Sequence, residues 1–164
     1  VKYARVEIER RYLLDALPAE IAEPRQITDH YITGTQLRLR KVEEPDGPTV
    51  YKLGHKQRRE PADGTVVLHT TIYLTEAEYD LLLSLPSREL RKTRARIALG
   101  QREASVDAFE GALVGLVLLE VNFDSREESD SFRPPAWAGV ETTLSGGELA
   151  SMSCDELRAR LVAP

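Results

Sequence analysis

In the stretch VEIERRYLL, Val6 to Leu14, the residues Glu7, Glu9 and Arg11 occupy every second position. A period of two is the strand period, so both carboxylates and the guanidinium share one face. Glutamate is a poor strand former, and carboxylates set side by side repel. Elsewhere the alternating positions are wholly basic: Arg38 and Arg40 in GTQLRLRKV, Lys52 and Lys56 in TVYKLGHK, and Lys92, Arg94 and Arg96 in ELRKTRARIAL. Glu120 shares a face with Asn122 in LVLLEVNF, and Glu141 with Thr143 in GVETTL. Alternation alone describes any antiparallel sheet with one wet side. An ordinary wet face mixes its signs, however, and these faces segregate them. Clustered like charges repel by several kcal/mol in a low-dielectric site unless something neutralises them. Converging faces explain both excesses. A cationic wall would hold a polyanion, and an acidic wall would hold a hard divalent cation such as Mg²⁺ or Mn²⁺ bridging to it.

The elements that must position these residues are mostly short strands. Besides those already quoted, TVVLHTTIYL is rich in β-branched residues, and REASVDAF alternates, with Asp107 facing as Glu103 and Ser105 do. The turns EEPDGP, REPADG and Glu110–Gly111 and the loop SREESDSFRPPAW separate strands. TEAEYDLLLSLP reads as a helix with a Thr75–Glu78 capping box, an apolar side from Leu82, Leu83 and Leu85, and Pro86 as its stop. SCDELRARLV repeats the capping spacing at Ser153 and Glu156, ahead of Leu157 and Leu161, and LLDALP suggests a short helical turn. About eight strands and two helices result. So many antiparallel strands in one domain form a sandwich or close on themselves to remove their edges. A closed barrel points alternate residues of every strand into one space. The ionic set then lines the interior, and the apolar set lies outside, partly under helices.

The bulk numbers agree with such a chain. At 164 residues it has the length of one domain, 1–164, with a real core. Charged residues make up 30% and hydrophobic ones 41%, a globular composition. The net charge of −5 argues against a surface that coats nucleic acid. A single cysteine, Cys154, allows no internal disulfide, and no apolar run is long enough to span a membrane. The expectation is a cytoplasmic protein, monomer or homodimer, with no membrane or nucleic-acid partner. His30, His55 and His69 lack metal-ligand spacing. Trp137 reads as a loop anchor on the barrel exterior, and Cys154 has no partner for catalysis.

At EIERRYLL the chain resembles the ExExK opening strand of the CYTH domain, the triphosphate tunnel metalloenzymes. The likeness continues in order through YITGTQLRLRK, YKLGHK, LRKTR, VDAFEGALVGLVLLEVNF, FRPPAWAGVETT and GGELA. It implies a mainly β fold, an eight-stranded antiparallel closed tunnel barrel with a hydrophilic lumen and helices packed outside. It further implies a small triphosphate or polyphosphate ligand and Mg²⁺ or Mn²⁺. Within the family are inorganic tripolyphosphatases, thiamine triphosphatases and class IV adenylate cyclases. By this likeness Glu7, Glu9 and Arg11 are the catalytic group, and Glu7, Glu9, Glu120, Asn122 and Glu141 are metal ligands. Arg38, Arg40, Lys52, Lys92 and Arg94 match basic positions that hold phosphate oxygens, and Lys56 and Arg96 join them through alternation. Three residues depart from the family pattern. Arg11 stands in place of lysine; it keeps the charge and gains bidentate contacts but does not deprotonate. Asn122 stands where relatives carry a second glutamate, and His69, Thr71 and Tyr73 replace an acid-rich pattern. The expected function is a metal-dependent hydrolase of inorganic tripolyphosphate or a similar small triphosphate. The alternatives are a non-catalytic polyphosphate or nucleotide binder and, ranked lower, an adenylate cyclase.

Overall fold

The computed structural model describes residues 2–58 and 66–162; the predicted loop at 59–64 lies outside them. Nine strands form one antiparallel sheet: β1 (Arg5–Leu14), β2 (Ala22–Ile32), β3 (Leu37–Glu43), β4 (Val50–Arg58), β5 (Val66–Leu74), β6 (Ser87–Leu99), β7 (Arg102–Phe109), β8 (Val117–Phe123) and β9 (Glu141–Thr142). Their order is β5-β4-β3-β2-β6-β7-β8-β1-β9, and β5 also pairs with β1, where Arg5 to Ile8 lie opposite His69 to Val66. That pairing closes eight strands into a barrel. The two-residue β9 covers the rest of the same β1 edge, opposite Arg11 and Tyr12. Four helices decorate it: α1 (Glu76–Leu83), α2 (Arg126–Ser131), α3 (Gly146–Leu149) and α4 (Cys154–Val162).

The eight-strand expectation holds in number but not in membership. GVETTL contributes only the two residues of β9, and β2 takes the eighth place in the closed ring. In sequence β2 is poorly marked: Pro24 lacks a ladder donor, and its register with β6 shifts between Ala22 and Arg25, where Glu23 adopts a φ of 50°. Beyond that irregularity the strand regains alternation, and it pairs with β6 from Arg25 to Ile32 and with β3 from Gln26 to Tyr31. LLDALP forms no helical turn; Leu13 and Leu14 continue β1. α1 begins at the predicted capping box, where Glu78 N–H donates to Thr75 and Thr75 N–H to Glu78. Its leucines do not bury as expected, since Leu83 and Leu85 are exposed. Tyr79 anchors the helix instead, with its ring 4.8 Å from that of Tyr51.

Apolar residues pack on two sides of the ionic interior. Outside, Tyr12, Leu14, Val106, Val117, Leu119, Val121 and Phe123 form a core cluster covered by Phe132 and Ala138. Inside, Leu90, Phe109 and Leu118 continue the inward positions of Lys92, Asp107 and Glu120, and they pack against Leu113, Leu144, Leu149 and Leu157. The interior is therefore ionic over part of its length and apolar at one end, where α3 and α4 close over it. Leu119 is fully buried between neighbouring strands of the outer cluster. Leu119→Ala should lower unfolding stability by about 2–5 kcal/mol, through lost transfer energy plus a cavity that β8 cannot collapse. Urea denaturation should show this as a lower midpoint with an unchanged slope.

Candidate anion-binding site

The inward faces enclose a cavity of about 350 Å³. β1 supplies Glu7, Glu9 and Arg11; β3 supplies Arg38 and Arg40; β4 gives Lys56, β6 Lys92 and Arg94, and β8 Glu120 and Asn122. All ten are sequence-predicted residues, and they converge because the strand period aims alternate side chains inward. Three predicted residues do not line it. Lys52 stands over the Tyr73 ring at 5.1 Å. Arg96 forms exposed ion pairs with Glu23 and Glu103. Glu141 pairs with Arg10, on the opposite face of β1 from Arg11, with Arg10 Nε donating to Glu141 Oε1 at 2.6 Å. The metal-ligand expectation for Glu141 is therefore corrected, because Glu141 lies opposite Tyr12 and shares the outward face of β1.

Burying so much charge requires pairing, and five carboxylates provide it. Asp29, fully buried on β2, accepts from Arg40 Nε at 2.6 Å and Nη2 at 2.7 Å, with Arg38 Nε 3.5 Å away. Asp107 accepts from Lys92 Nζ at 2.7 Å and from Arg94 Nε and Nη2 at 2.6 and 2.7 Å. Arg94 Nη2 also reaches Glu120 Oε1 at 3.0 Å, while Arg11 Nε meets Glu120 Oε2 at 3.2 Å and Arg11 Nη2 donates to Glu9 Oε1. At the β1–β5 seam Glu7 accepts from His69 Nδ1 at 2.6 Å and from Lys56 Nζ at 3.0 Å. Thr71 lies 3.1 Å from His69 Nε2; with Nδ1–H donating to Glu7, the Thr71 hydroxyl donates to Nε2.

The electrostatics follow from these contacts. Burial pushes the Glu7 carboxyl up, but the His69 hydrogen bond and the Lys56 ammonium outweigh it and hold its pKa at about 2. Glu120 lies well below the usual carboxylate range, since Arg94 and Arg11 outweigh its burial. Lys92 moves the other way: burial and the adjacent Arg94 lower it to about 8 despite Asp107. Burial beside Asp29 raises the Tyr31 phenol to about 12, so it stays protonated as a donor in the cavity wall. Arg38 Nε is buried without a hydrogen-bond partner. Its nearest acceptor is Asp29 Oδ1 at 3.5 Å, so Asp29 holds that atom by charge rather than by a hydrogen bond.

Sequence reasoning did not single out Asp29, and it noted Asp107 only for its facing. Asp29 had an available signal, the inward alternation of Ile27, Asp29 and Tyr31, but it lay on the unrecognised strand. His69 lacked ligand spacing because its role is to orient Glu7. Gly54 serves the same contact: a Cβ there would come within 3.0 Å of His69 Nε2. Among the other singled-out residues, His30 pairs with Glu89 on the outer face of β2, His55 is exposed, and Trp137 is half exposed beside Phe132 in a surface cleft. Cys154 is exposed at the start of α4 and contacts the Ala112 carbonyl.

A closed antiparallel barrel thus encloses an interior of paired cations and carboxylates. No family model matches the chain. It is 28% identical over 143 residues to an inorganic triphosphatase of Nitrosomonas europaea, a match covering 84% of this chain and 89% of that one. The crystal structure of the inorganic triphosphatase NE1496 superposes with a TM-score of 0.61 at 26% identity, over 88% of this chain and 93% of the other. A putative adenylate cyclase from Bacillus halodurans shares the fold with a TM-score of 0.54 at 17% identity, over 78% and 86% of the two chains. These likenesses support the CYTH, or triphosphate tunnel metalloenzyme, family as the one this chain resembles. No helix among the described residues is long and apolar enough to cross a membrane.

Asp29→Ala should leave Arg38 and Arg40 facing one another without a counter-ion. Stability should fall by about 3–5 kcal/mol, the range for stranding one side of a buried pair. In denaturant titration, added sulfate should restore part of that loss in the variant and do less for the wild type.

Proposed function

We propose that this protein hydrolyses inorganic tripolyphosphate or a similar small triphosphate held in the barrel cavity, with Mg²⁺ or Mn²⁺ as the cofactor. The observation that carries the reading is the convergence of six cations, Arg11, Arg38, Arg40, Lys56, Lys92 and Arg94, on one enclosed cavity. The named inorganic triphosphatase among its relatives supports the same reading. Glu7, Glu9 and Glu120, with the Asn122 amide oxygen, are hard oxygen donors on the adjoining strands β1 and β8, the chemistry these cations take. Bound there, the metal would supply charge stabilisation to the reacting phosphoryl group.

The chain's own residues do the rest by positioning and charge neutralisation, which is most of what phosphoryl transfer asks of a protein. The guanidiniums of Arg38, Arg40 and Arg94 present forked donors to phosphate oxygens, and Lys56 and Lys92 add point charges. Arg11 holds phosphate or orients water and does not act as a base. The strongly acidic Glu7 and Glu120 stay ionised at neutral pH and serve as ligands rather than proton acceptors.

Phosphate release from tripolyphosphate with Mg²⁺ or Mn²⁺ is the direct test. Arg38→Met removes hydrogen bonds to a charged group, each of about 1.5–3 kcal/mol, and should lower kcat/KM by about 10- to 100-fold. Tight tripolyphosphate binding with background release would replace the hydrolase by a binding module. Arg11, fixed between two carboxylates and unable to deprotonate, is the observation that favours that second reading. The binder reading then requires that Arg11→Lys combined with Asn122→Glu also stay at background.

A pH series probes Lys92. The anion binds the ammonium form, and the protonated share of Lys92 falls as pH rises through about 8. Tripolyphosphate itself gains charge over this range equally for any variant, so the informative quantity is the affinity ratio of wild type to Lys92→Met. Calorimetry should show that ratio shrinking between pH 7 and pH 9.5.

A further inference from the structure

Every oxygen of the three carboxylates assigned to the metal already faces a donor group of the protein, all but one of them a cation. Glu7 Oε1 accepts from His69, and Glu7 Oε2 lies 3.0 Å from Lys56. Glu9 Oε1 is held by Arg11, and Glu9 Oε2 lies 3.8 Å from Lys56. Glu120 Oε1 lies 3.0 Å from Arg94, and Glu120 Oε2 lies 3.2 Å from Arg11. Accordingly, among the described residues no group of three or more acidic, His or Cys side chains is disposed to hold a metal ion. The donor types suit a hard cation, but the protein's own cations hold them closed.

From this we infer that the polyphosphate chain must engage the cavity before these carboxylates take a metal ion, so that the anion unlocks its own cofactor site. The inference rests on the triphosphatase reading and adds an order to it. Arg11, Lys56 and Arg94 are the residues that carry it, because each is shared between a carboxylate and the space a polyanion fills. A divalent cation entering the ligand-free site meets three fixed positive groups at the oxygens it needs, and in a low-dielectric interior that repulsion is large. Phosphate oxygens compete for the same guanidinium and ammonium donors, and anionic hydrogen bonds to them are strong and short. Once the donors turn to phosphate, Glu9 and Glu120 lose their shared counter-ion and their lone pairs open to metal. The coupling is reciprocal by linkage: whatever factor the polyphosphate adds to metal affinity, the metal adds to polyphosphate affinity. Arg11 is the hinge of this device. Its fork spans two carboxylates that belong to different strands, which the point charge of a lysine does less well.

Two binding measurements on the intact protein decide it. Titrating Mn²⁺ alone, followed by its paramagnetic signal, should show no site in the wild type at millimolar concentrations. Titrating tripolyphosphate in EDTA, followed by calorimetry, should show binding without any metal. In Arg11→Gln, Mn²⁺ alone should bind at least tenfold more tightly than in the wild type, and Lys56→Met should move in the same direction. Mn²⁺ binding to the ligand-free wild type as tightly as to Arg11→Gln would overturn the inference, and so would tripolyphosphate binding that appears only when Mn²⁺ is present. If tripolyphosphate binds neither with nor without metal, the triphosphatase reading itself fails, an outcome distinct from either of these. Should the variants not fold, the wild-type titrations still decide the order.

Discussion

Compensation of buried charge inside a closed sheet is the constraint on which the structure depends. A barrel of eight strands points half of its strand residues into one volume, and here that volume holds arginines, lysines and carboxylates rather than leucines. Such an interior persists only if each charge finds an opposite partner at hydrogen-bond distance. Asp29 and Asp107 are the clearest products of that demand: both are buried, and each accepts a bidentate arginine. Asp29 stands behind the cavity's cations and Asp107 among them on its wall, and both fix where the guanidiniums point. Glu7, Glu9 and Glu120 perform the same neutralisation from the cavity surface, where a ligand competes for their partners.

An ionic interior stabilises a fold only weakly, so the driving force has to come from elsewhere. Most of it lies outside the barrel, where the outward faces of β1, β6, β7 and β8 form a continuous apolar layer under α2 and the segment that follows. The rest lies at the apolar end of the interior, where Tyr31, Leu144 and Leu149 pack with the inward leucines. Gly146 allows that closure, because a Cβ there would fall on the Tyr31 hydroxyl. The same arrangement shapes the cavity: the apolar end is its floor, and the charged residues are its walls.

Period-two sign segregation made the walls legible in the sequence. It identified Glu7, Glu9, Arg11, Arg38, Arg40, Lys56, Lys92, Arg94, Glu120 and Asn122, all of which line the cavity. What alternation does not encode is depth along the barrel. Lys52 and Arg96 keep inward parity with Lys56 and Arg94, yet lie beyond the enclosed volume and pair with Tyr73 and with surface glutamates. Glu141 fails for a different reason: it lies opposite Tyr12 and so takes the outward face of β1. β2 was hidden because its first half breaks the pattern through Pro24 and the register shift, and Asp29 was hidden with it. The leucines of α1 misled in the opposite sense, since capping set the helix while Tyr79, a single aromatic contact, docked it.

The arginine in the opening triplet gains its meaning from the same constraint. A lysine at position 11 would present one charge to one or the other of Glu9 and Glu120. The guanidinium bridges both, joining β1 to β8 across a pair of carboxylates that would otherwise repel. That bridge makes the ligand-free site electrostatically complete, and completeness has a consequence for binding. A site that already neutralises itself gains less from any single ion than from a ligand that exchanges several contacts at once. On the proposed reading a polyphosphate would do this, its oxygens replacing carboxylates on Arg11, Lys56 and Arg94 together and leaving the released carboxylates in excess. On that reading an arginine in the triplet, which does not deprotonate, would select extended anions over isolated metal ions through charge balance alone.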